Sequence, residues 1–221
     1  MPSKARLRGL YAITPEMADT RVLLGKVEAA IAGGAALVQY RAKTLAAPLR
    51  HEQAAGLVAL CRARSAVLIV NDDVELACAV QAHGVHLGRD DGDFQAARAR
   101  MPGAILGISC YADPARALAA AALGADYVGI GSLFASPTKP HAARAPLSSL
   151  AEARRLGGLP VAAIGGITPA NAGEAVAAGA DMIAVISALF DARDIAAAAR
   201  ALSQPFATHG SNDARSQPAT L

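Results

Sequence analysis

The sequence predicts an α/β protein built as one (β/α)8 barrel, and three observations lead there. Short apolar, β-branched runs recur eight times along the chain. Each is followed by a stretch of helical composition, the pattern of parallel strands joined by crossover helices. The runs are almost continuously apolar, as expected of strands covered on both faces. Eight such units in 221 residues fit a single-domain TIM barrel.

Taken in order, the first run is "LRGLYAIT" from Leu7 and the second "AALVQYR" from Ala35. "VLIVND" from Val67 and "GVHLG" from Gly84 follow, then "AILGIS" from Ala104 and "DYVGIGS" from Asp126. "PVAAIGG" from Pro160 and "MIAVIS" from Met182 complete the set. The helices between them repeatedly end on glycine just before a strand: "AAIAGGAALVQ", "AVQAHGVHL", "AAALGADYVG" and "AVAAGADMIAV". Gly34, Gly84, Gly124 and Gly179 are therefore expected as left-handed helix caps that turn the chain into the next strand. A doubly wound open sheet also alternates strands and helices, but its nucleotide signature is missing. "GIGSLF" holds Gly129 and Gly131 without a third glycine, and no Gly-x-x-x-x-Gly-Lys loop occurs. The barrel is expected over residues 1–206. From 207 to 221 the chain loses apolar periodicity and collects small polar residues, so a disordered tail is expected there.

Composition narrows the function. A formal charge of +3, without runs of like charge or interleaved aromatics, argues against nucleic acid or a membrane surface as partner. Small-molecule substrates, anionic ones included, are the expected partners, and whether copies associate into a homo-oligomer is left open. Cys61, Cys78 and Cys110 are odd in number, far apart and in no Cys-x-x-Cys arrangement. That argues against a disulfide framework or structural zinc and fits a reducing cytoplasm. No apolar run is long enough for a signal peptide or a bilayer span, so a soluble, cytoplasmic protein is expected.

In a barrel of this class the active site lies at the C-terminal ends of the strands, so the polar residues there are the candidates. Gln39, Arg41 and Lys43 follow at a period of two, which puts them on the same side of an extended segment. Two inward cations are costly unless an anion meets them. Asn71 and Asp72 end the third run, and Asp90 and Asp91 follow the fourth, so neighbouring strands bring carboxylates together. Asp73 and Asp90 also fit helix N-capping. Ser109 ends the fifth run. The sixth opens into "GSLFASPTKP", where Ser136, Pro137, Thr138 and Lys139 make a stiff polar turn. A connection over 133–146 without clear secondary structure is expected to be functional, as a lid is. In "AIGGITPANAGEAV", Gly165 and Gly166 leave room for a ligand against bare backbone, and Thr168 and Pro169 read as the N-cap and first residue of a helix. With Ile186 and Ser187 this matches the phosphate site barrels build from the loops after strands seven and eight. His86 reads as an interior packing residue, because no second His or Cys stands at metal spacing. Cys110 has no evident base partner.

Arg41, Lys43 and Lys139 together with Asp72 and Asp91 suit a magnesium-bound diphosphate, since Mg²⁺ takes one or two carboxylates and completes its shell with phosphate oxygens and water. The sequence thus implies two facing anionic subsites, one for a metal diphosphate and one for a metal-free monophosphate, and transfer of a group between their occupants.

From Gly9 to about Ala201 the segments "GLYAIT", "VQYRAKT", "VNDDVELA", "GVHLGRDD", "LGIS", "FASPTKP", "AIGGITPAN" and "AVISAL" resemble, in order, those of the thiamine-phosphate synthase (pyrophosphorylase) family. The resemblance implies condensation of a hydroxymethylpyrimidine diphosphate with thiazole phosphate, with Mg²⁺ required. It implies that Gln39, Tyr40, Arg41, Ala42, Lys43, Asn71, Ser109 and Lys139 hold the pyrimidine diphosphate, Arg41, Lys43, Ser109 and Lys139 acting catalytically. Asp72 and Asp91 are implied Mg²⁺ ligands. Ser136, Pro137, Thr138, Gly166, Ile186 and Ser187 are implied to surround the thiazole phosphate. The chain departs from the family at Arg89, where Gln is usual, and at Cys110-Tyr111, where a His is frequent. Two alternatives share the barrel: a thiazole tautomerase, against which the retained Arg41, Lys43, Asn71, Asp72, Asp91 and Lys139 argue, and a non-catalytic binder of thiamine precursors.

Overall fold

The computed structural model of the chain describes residues 7–88, 93–135 and 143–213, the last six of these as backbone alone. Eight parallel strands close into a barrel in chain order. They are β1 (Gly9–Ile13), β2 (Ala35–Tyr40), β3 (Val67–Asn71), β4 (Gly84–Leu87), β5 (Ile105–Tyr111), β6 (Tyr127–Ile130), β7 (Val161–Ile164) and β8 (Met182–Val185). β1 pairs with both β2 and β8, which closes the ring. Around it lie α1 (Thr20–Ala32), α2 (Ala47–Ala63), α3 (Val74–Ala79), α4 (Phe94–Arg100), α5 (Arg116–Ala122), α6 (Ser148–Gly157), α7 (Ala172–Ala177), α8 (Ser187–Phe190) and α9 (Ile195–Asp213). Each of the eight apolar runs holds one strand.

The pleat sorts every strand between two cores. Leu10, Val38, Leu68, Val85, Leu106, Val128, Val161 and Ile183 face the helices and pack with Leu23, Leu57 and Leu150. Their alternates, among them Tyr11, Leu37, Ile69, Ile105, Tyr127 and Met182, fill the barrel itself. Burying one such Leu or Ile stabilises by about 1.5–3 kcal/mol, and both faces are apolar because both are covered. Leu37, Val67, Ile105 and Met182 lie toward the N-terminal ends of their strands and are almost fully buried, so they close the barrel at that end.

The residues just ahead of β4, β6 and β8 share one device. His83, Asp126 and Asp181 each donate a backbone N–H to the preceding strand, at Leu68 (3.0 Å), Leu106 (2.7 Å) and Val161 (2.9 Å). Each also accepts that same residue's N–H on its side chain, at 2.8, 2.9 and 2.8 Å. The two-bond clamp sets the register of alternate strand pairs and satisfies backbone groups where the ladder begins. Arg98 braces Asp126 at 2.7 Å, and Arg154 pairs with Asp181.

Gly34 (φ 109°), Gly124 (φ 77°) and Gly179 (φ 104°) are left-handed, as expected. Gly84 is not. The left-handed residue of that turn is Gln81 (φ 53°), and Gly84 opens β4, where a Cβ would stand 2.1 Å from the Ile105 carbonyl oxygen. Close approach of β5, not turn geometry, requires glycine there. At the C-terminus α9 runs through Pro205 to Asp213, past the boundary expected at 206, with Ala199 and Leu202 buried and α1 alongside. Residues 214–221 lie outside the described residues.

Candidate active site

A cavity of about 550 Å³ opens at the C-terminal ends of the strands, its wall contributed by all eight. From β2 and the residue just past it come Gln39 and Arg41; from β3, Asn71; from β5, Ser109; from beyond the ends of β7 and β8, Gly166, Ile186 and Ser187. The pleat explains this set: continuing each strand's inward side beyond its apolar end brings polar residues into the same space. A second hollow of about 530 Å³ adjoins it, lined by Ala42, Lys43, Arg50, Asn71, Asp72 and Asp73. Asn71 belongs to both. Among the described residues, all the candidates but Tyr40 are therefore divided between the two hollows. Tyr40 belongs to neither, because its side chain points outward and its hydroxyl donates to Gln53 Oε1 at 2.9 Å.

Lys43 sits in the second hollow because β2 ends at Tyr40, so the period of two does not extend to it. Its ammonium meets Asp72 Oδ2 at 3.0 Å, with the lysine half exposed. The loop carrying it is held by Glu16, whose Oε1 accepts the N–H of Thr44 (2.5 Å) and of Leu45 (3.1 Å) and the Thr44 hydroxyl (2.8 Å). Those donors, the Thr44 N–H foremost, hold the Glu16 carboxyl below its usual range. Arg41 is fixed through its backbone, whose N–H donates to the buried Thr14 hydroxyl at 3.0 Å. Asp72 itself is left-handed (φ 64°), an uncommon backbone state for a residue with a side chain, held by its N–H bond to the His86 carbonyl at 2.8 Å. Asp73 caps α3 through Leu76 N–H at 2.8 Å, as expected, and pairs with Arg50 at 3.1 Å.

The glycine turn after β7 differs from the expected helix start. Thr168 is not an N-cap, and α7 begins only at Ala172. Instead Asn171 folds back, accepting the Thr168 N–H on Oδ1 (2.8 Å) and donating to the Gly166 carbonyl (3.0 Å). The Thr168 N–H is thus occupied, while no acceptor among the described residues takes that of Gly166 or Ile167. Gly166 is left-handed (φ 65°), and a Cβ on it would stand 2.2 Å from the Ala135 carbonyl oxygen. Leu133 and Phe134 N–H donate to Ile164 and Gly165, each at 3.0 Å, which anchors the start of the loop after β6 on this turn. Asp91, with Arg89 and Asp90, and Ser136, Pro137, Thr138 and Lys139 lie outside the described residues.

The floor of the cavity holds residues that the reading of strand ends missed. Tyr11 and Tyr127 meet edge to face, centroids 6.0 Å apart, and His86 stacks on Tyr127 at 5.4 Å. Their polar atoms join Gln39 to Ser109 in one hydrogen-bonded series, each link 2.8–2.9 Å. Desolvation raises both phenols well above the ordinary tyrosine value and keeps them protonated. His86 is a satisfied interior residue, as read from the sequence, but one that faces the cavity. Beyond Ser109 the strand register shifts; Tyr111 lines the mouth with the Arg116 guanidinium 5.5 Å from its ring centroid, and Cys110 faces the helical core. Burial pushes the Cys110 thiol up to about 11, the opposite of what a nucleophile requires.

Known proteins resemble the chain over most of its length. The thiamine-phosphate synthase of Chromobacterium violaceum is 58% identical over 199 residues, spanning 90% of this chain and 96% of its own. That of Aromatoleum aromaticum is 53% identical, spanning 89% and 95%. Among solved structures, the thiamine phosphate pyrophosphorylase from Pyrococcus furiosus superposes with a TM-score of 0.82 at 36% identity, covering 93% of this chain and 98% of that one. Residues 10–189 match the family described as thiamine monophosphate synthase, and the chain belongs to that family.

Proposed function

We propose that this transferase forms thiamine phosphate by joining a hydroxymethylpyrimidine diphosphate to a thiazole phosphate at the barrel mouth, the diphosphate departing before the thiazole nitrogen attacks. One observation supports the reading above others. A largely apolar cavity with Arg41 on its wall adjoins a hollow holding the Lys43–Asp72 pair, and Asn71 faces both. A ring fits the first space and a charged leaving group the second. Gln39, Arg41, Lys43, Asn71, Ser109 and Lys139 are assigned to the pyrimidine diphosphate by side chain, Tyr40 and Ala42 by backbone. Ser136, Pro137, Thr138, Gly166, Ile186 and Ser187 are assigned to the thiazole phosphate.

Asp72 and Asp91 are the assigned Mg²⁺ ligands. The donor chemistry fits: Asp72 offers a hard carboxylate beside Asn71 and already holds a cation, the Lys43 ammonium, so it would hold Mg²⁺, with Lys43 beside it as a donor to phosphate oxygens. The metal, when bound, neutralises charge developing on the diphosphate. Arg41, Lys43 and Lys139 share that task, because departure of a polyanion from an electron-rich aminopyrimidine makes charge neutralisation the main catalytic demand. No protein nucleophile is required, in keeping with the high Cys110 pKa. Three unpaired cysteines fit a cytoplasmic setting, and a homo-oligomer is compatible with the exposed helical layer.

Incubating the purified protein with both substrates and Mg²⁺ tests the proposal: thiamine phosphate is expected, and none above blank overturns it. Asp72→Ala and Lys139→Ala are expected to lower turnover about 10²–10³-fold with the fold intact by circular dichroism, since each removes charge opposite the leaving group.

A further inference from the structure

The polar floor of the cavity crosses the barrel as one unbroken series, and with the imidazole neutral its protons can run in only two ways. Gln39 Nε2 donates to Tyr11 Oη at 2.8 Å, and Tyr11 Oη meets Tyr127 Oη at 2.8 Å. Tyr127 Oη meets His86 Nδ1 at 2.9 Å, and His86 Nε2 meets Ser109 Oγ at 2.9 Å. Each phenol owns one proton, and Tyr11 and Tyr127 are 1% and 0% exposed, so neither hydroxyl can turn to water. With Gln39 donating, the Tyr11 proton goes to Tyr127 and the Tyr127 proton to His86 Nδ1. The imidazole is then neutral, protonated at Nε2, and donates to Ser109.

The ends of the series follow. Gln39 Oε1 is left as an acceptor and the Ser109 hydroxyl proton as a donor, and both residues line the cavity. The reverse run needs the Gln39 amide to turn over and the imidazole proton to change nitrogen together, and it exchanges the two ends. With the imidazole neutral, Gln39 and Ser109 therefore face the ligand with opposite polarity, whereas an imidazolium, donating at both nitrogens, would present two donors.

Resting on the pyrimidine reading above, we infer that Tyr11, Tyr127 and His86 are positioning residues that set the polarity of Gln39 and Ser109. With Gln39 donating to Tyr11, the floor takes a heterocycle edge that offers an amino N–H to Gln39 and a ring-nitrogen lone pair to Ser109, as a 4-aminopyrimidine does. It rejects the 4-oxo ring, whose donor and acceptor are exchanged along the same edge. A mismatched edge leaves desolvated polar groups unpaired, which corresponds to about ten- to hundredfold in affinity.

The test uses the full chain and ligands that cannot react. Dissociation constants of 4-amino-2-methyl-5-hydroxymethylpyrimidine monophosphate and of its 4-oxo counterpart are measured by calorimetry for the wild type, Tyr11→Phe and Tyr127→Phe. The wild type is expected to favour the amino ring by at least about tenfold. Each Phe variant keeps its ring but cuts the series, so the preference should fall to about twofold or less, whereas a merely structural defect weakens both rings alike. The ¹⁵N spectrum of the unliganded protein, with His86 assigned through His86→Gln, should show His86 as the Nε2–H tautomer whether or not the Phe variants fold. Equal or undetectable binding of the two rings by the wild type, full preference in a folded Phe variant, or His86 found as the Nδ1–H tautomer or as an imidazolium at the pH of the binding assay overturns the inference. Thiamine phosphate synthesis, assayed in parallel, separates the two readings: its absence overturns the proposed reaction, while its presence with any of those results overturns only the polarity device.

Discussion

Gly107→Ala tests whether the barrel interior is built around the Tyr127 hydroxyl. Gly107 lies on the inward side of β5, and a Cβ there would stand 2.2 Å from Tyr127 Cζ and 2.4 Å from both Cε1 and Oη. Carbon contacts are comfortable near 3.5–4.0 Å, so the ring must retreat by more than about 1 Å. It has nowhere easy to go, being fully buried between the edge of Tyr11 and the face of His86. Overpacking of this kind costs about 1–3 kcal/mol. Retreat also stretches the bonds to Tyr11 (2.8 Å) and His86 (2.9 Å), each worth about 1 kcal/mol. The expected total is about 2–5 kcal/mol, or about 4–20 °C in Tm for a chain of this size. Differential scanning calorimetry reads the shift. A Tyr127→Leu partner separates steric from general effects: if the clash is the cause, the double variant loses less than the sum of the singles, by about 0.5–3 kcal/mol. A Gly107→Ala protein melting within about 1 °C of wild type, or strict additivity in the cycle, refutes the packing argument.

Two further expectations follow from burial and backbone. Tyr11 and Tyr127 are held protonated by desolvation and Tyr40 is pushed to about 12, whereas the phenols of the unfolded chain ionise near about 10. Above that pH the unfolded chain sheds protons the folded one keeps, so this stability is whole below about pH 10 and falls as pH rises beyond it. Phenolate absorbance at pH 11 should fall short of the value in denaturant until the circular dichroism is lost; full ionisation in a folded protein contradicts the burial. Gly166→Ala and Gly158→Ala form a matched pair, both left-handed at φ 65° and 64°, but only the former meets backbone within 4 Å. Each should lose about 1–2 kcal/mol on conformational grounds, while only Gly166→Ala raises the KM for thiazole phosphate. Equal kinetics in the two variants removes Gly166 from that subsite.

Charge decided which parts of the site were legible in the sequence. Arg41, Asn71 and Asp72 stand out because polar groups after an apolar strand need an occupant for the space they face. Tyr11, His86 and Tyr127 carry no such mark, since a Tyr or His among Val and Ile reads as core, and both tyrosines do belong to the interior cluster. The signal that reaches them is the pleat: counting back by twos along the inward side, from Ile13 to Tyr11, from Gly88 to His86 and from Gly131 through Gly129 to Tyr127, places all three beside Gln39 and Ser109. Lys43 shows where that signal stops, because β2 ends before it and a tertiary contact from Glu16 fixes its loop. Glycine is the harder case. Gly84 and Gly124 stand in the same place before a strand, yet one is required by a carbonyl oxygen 2.1 Å from its missing Cβ and the other by a φ of 77°. Nothing local separates these causes, and Gly107 has neither a turn nor a cap to explain it. Its reason is a phenol from the neighbouring strand, so the glycines that shape this cavity become readable only once the residue opposite each of them is known.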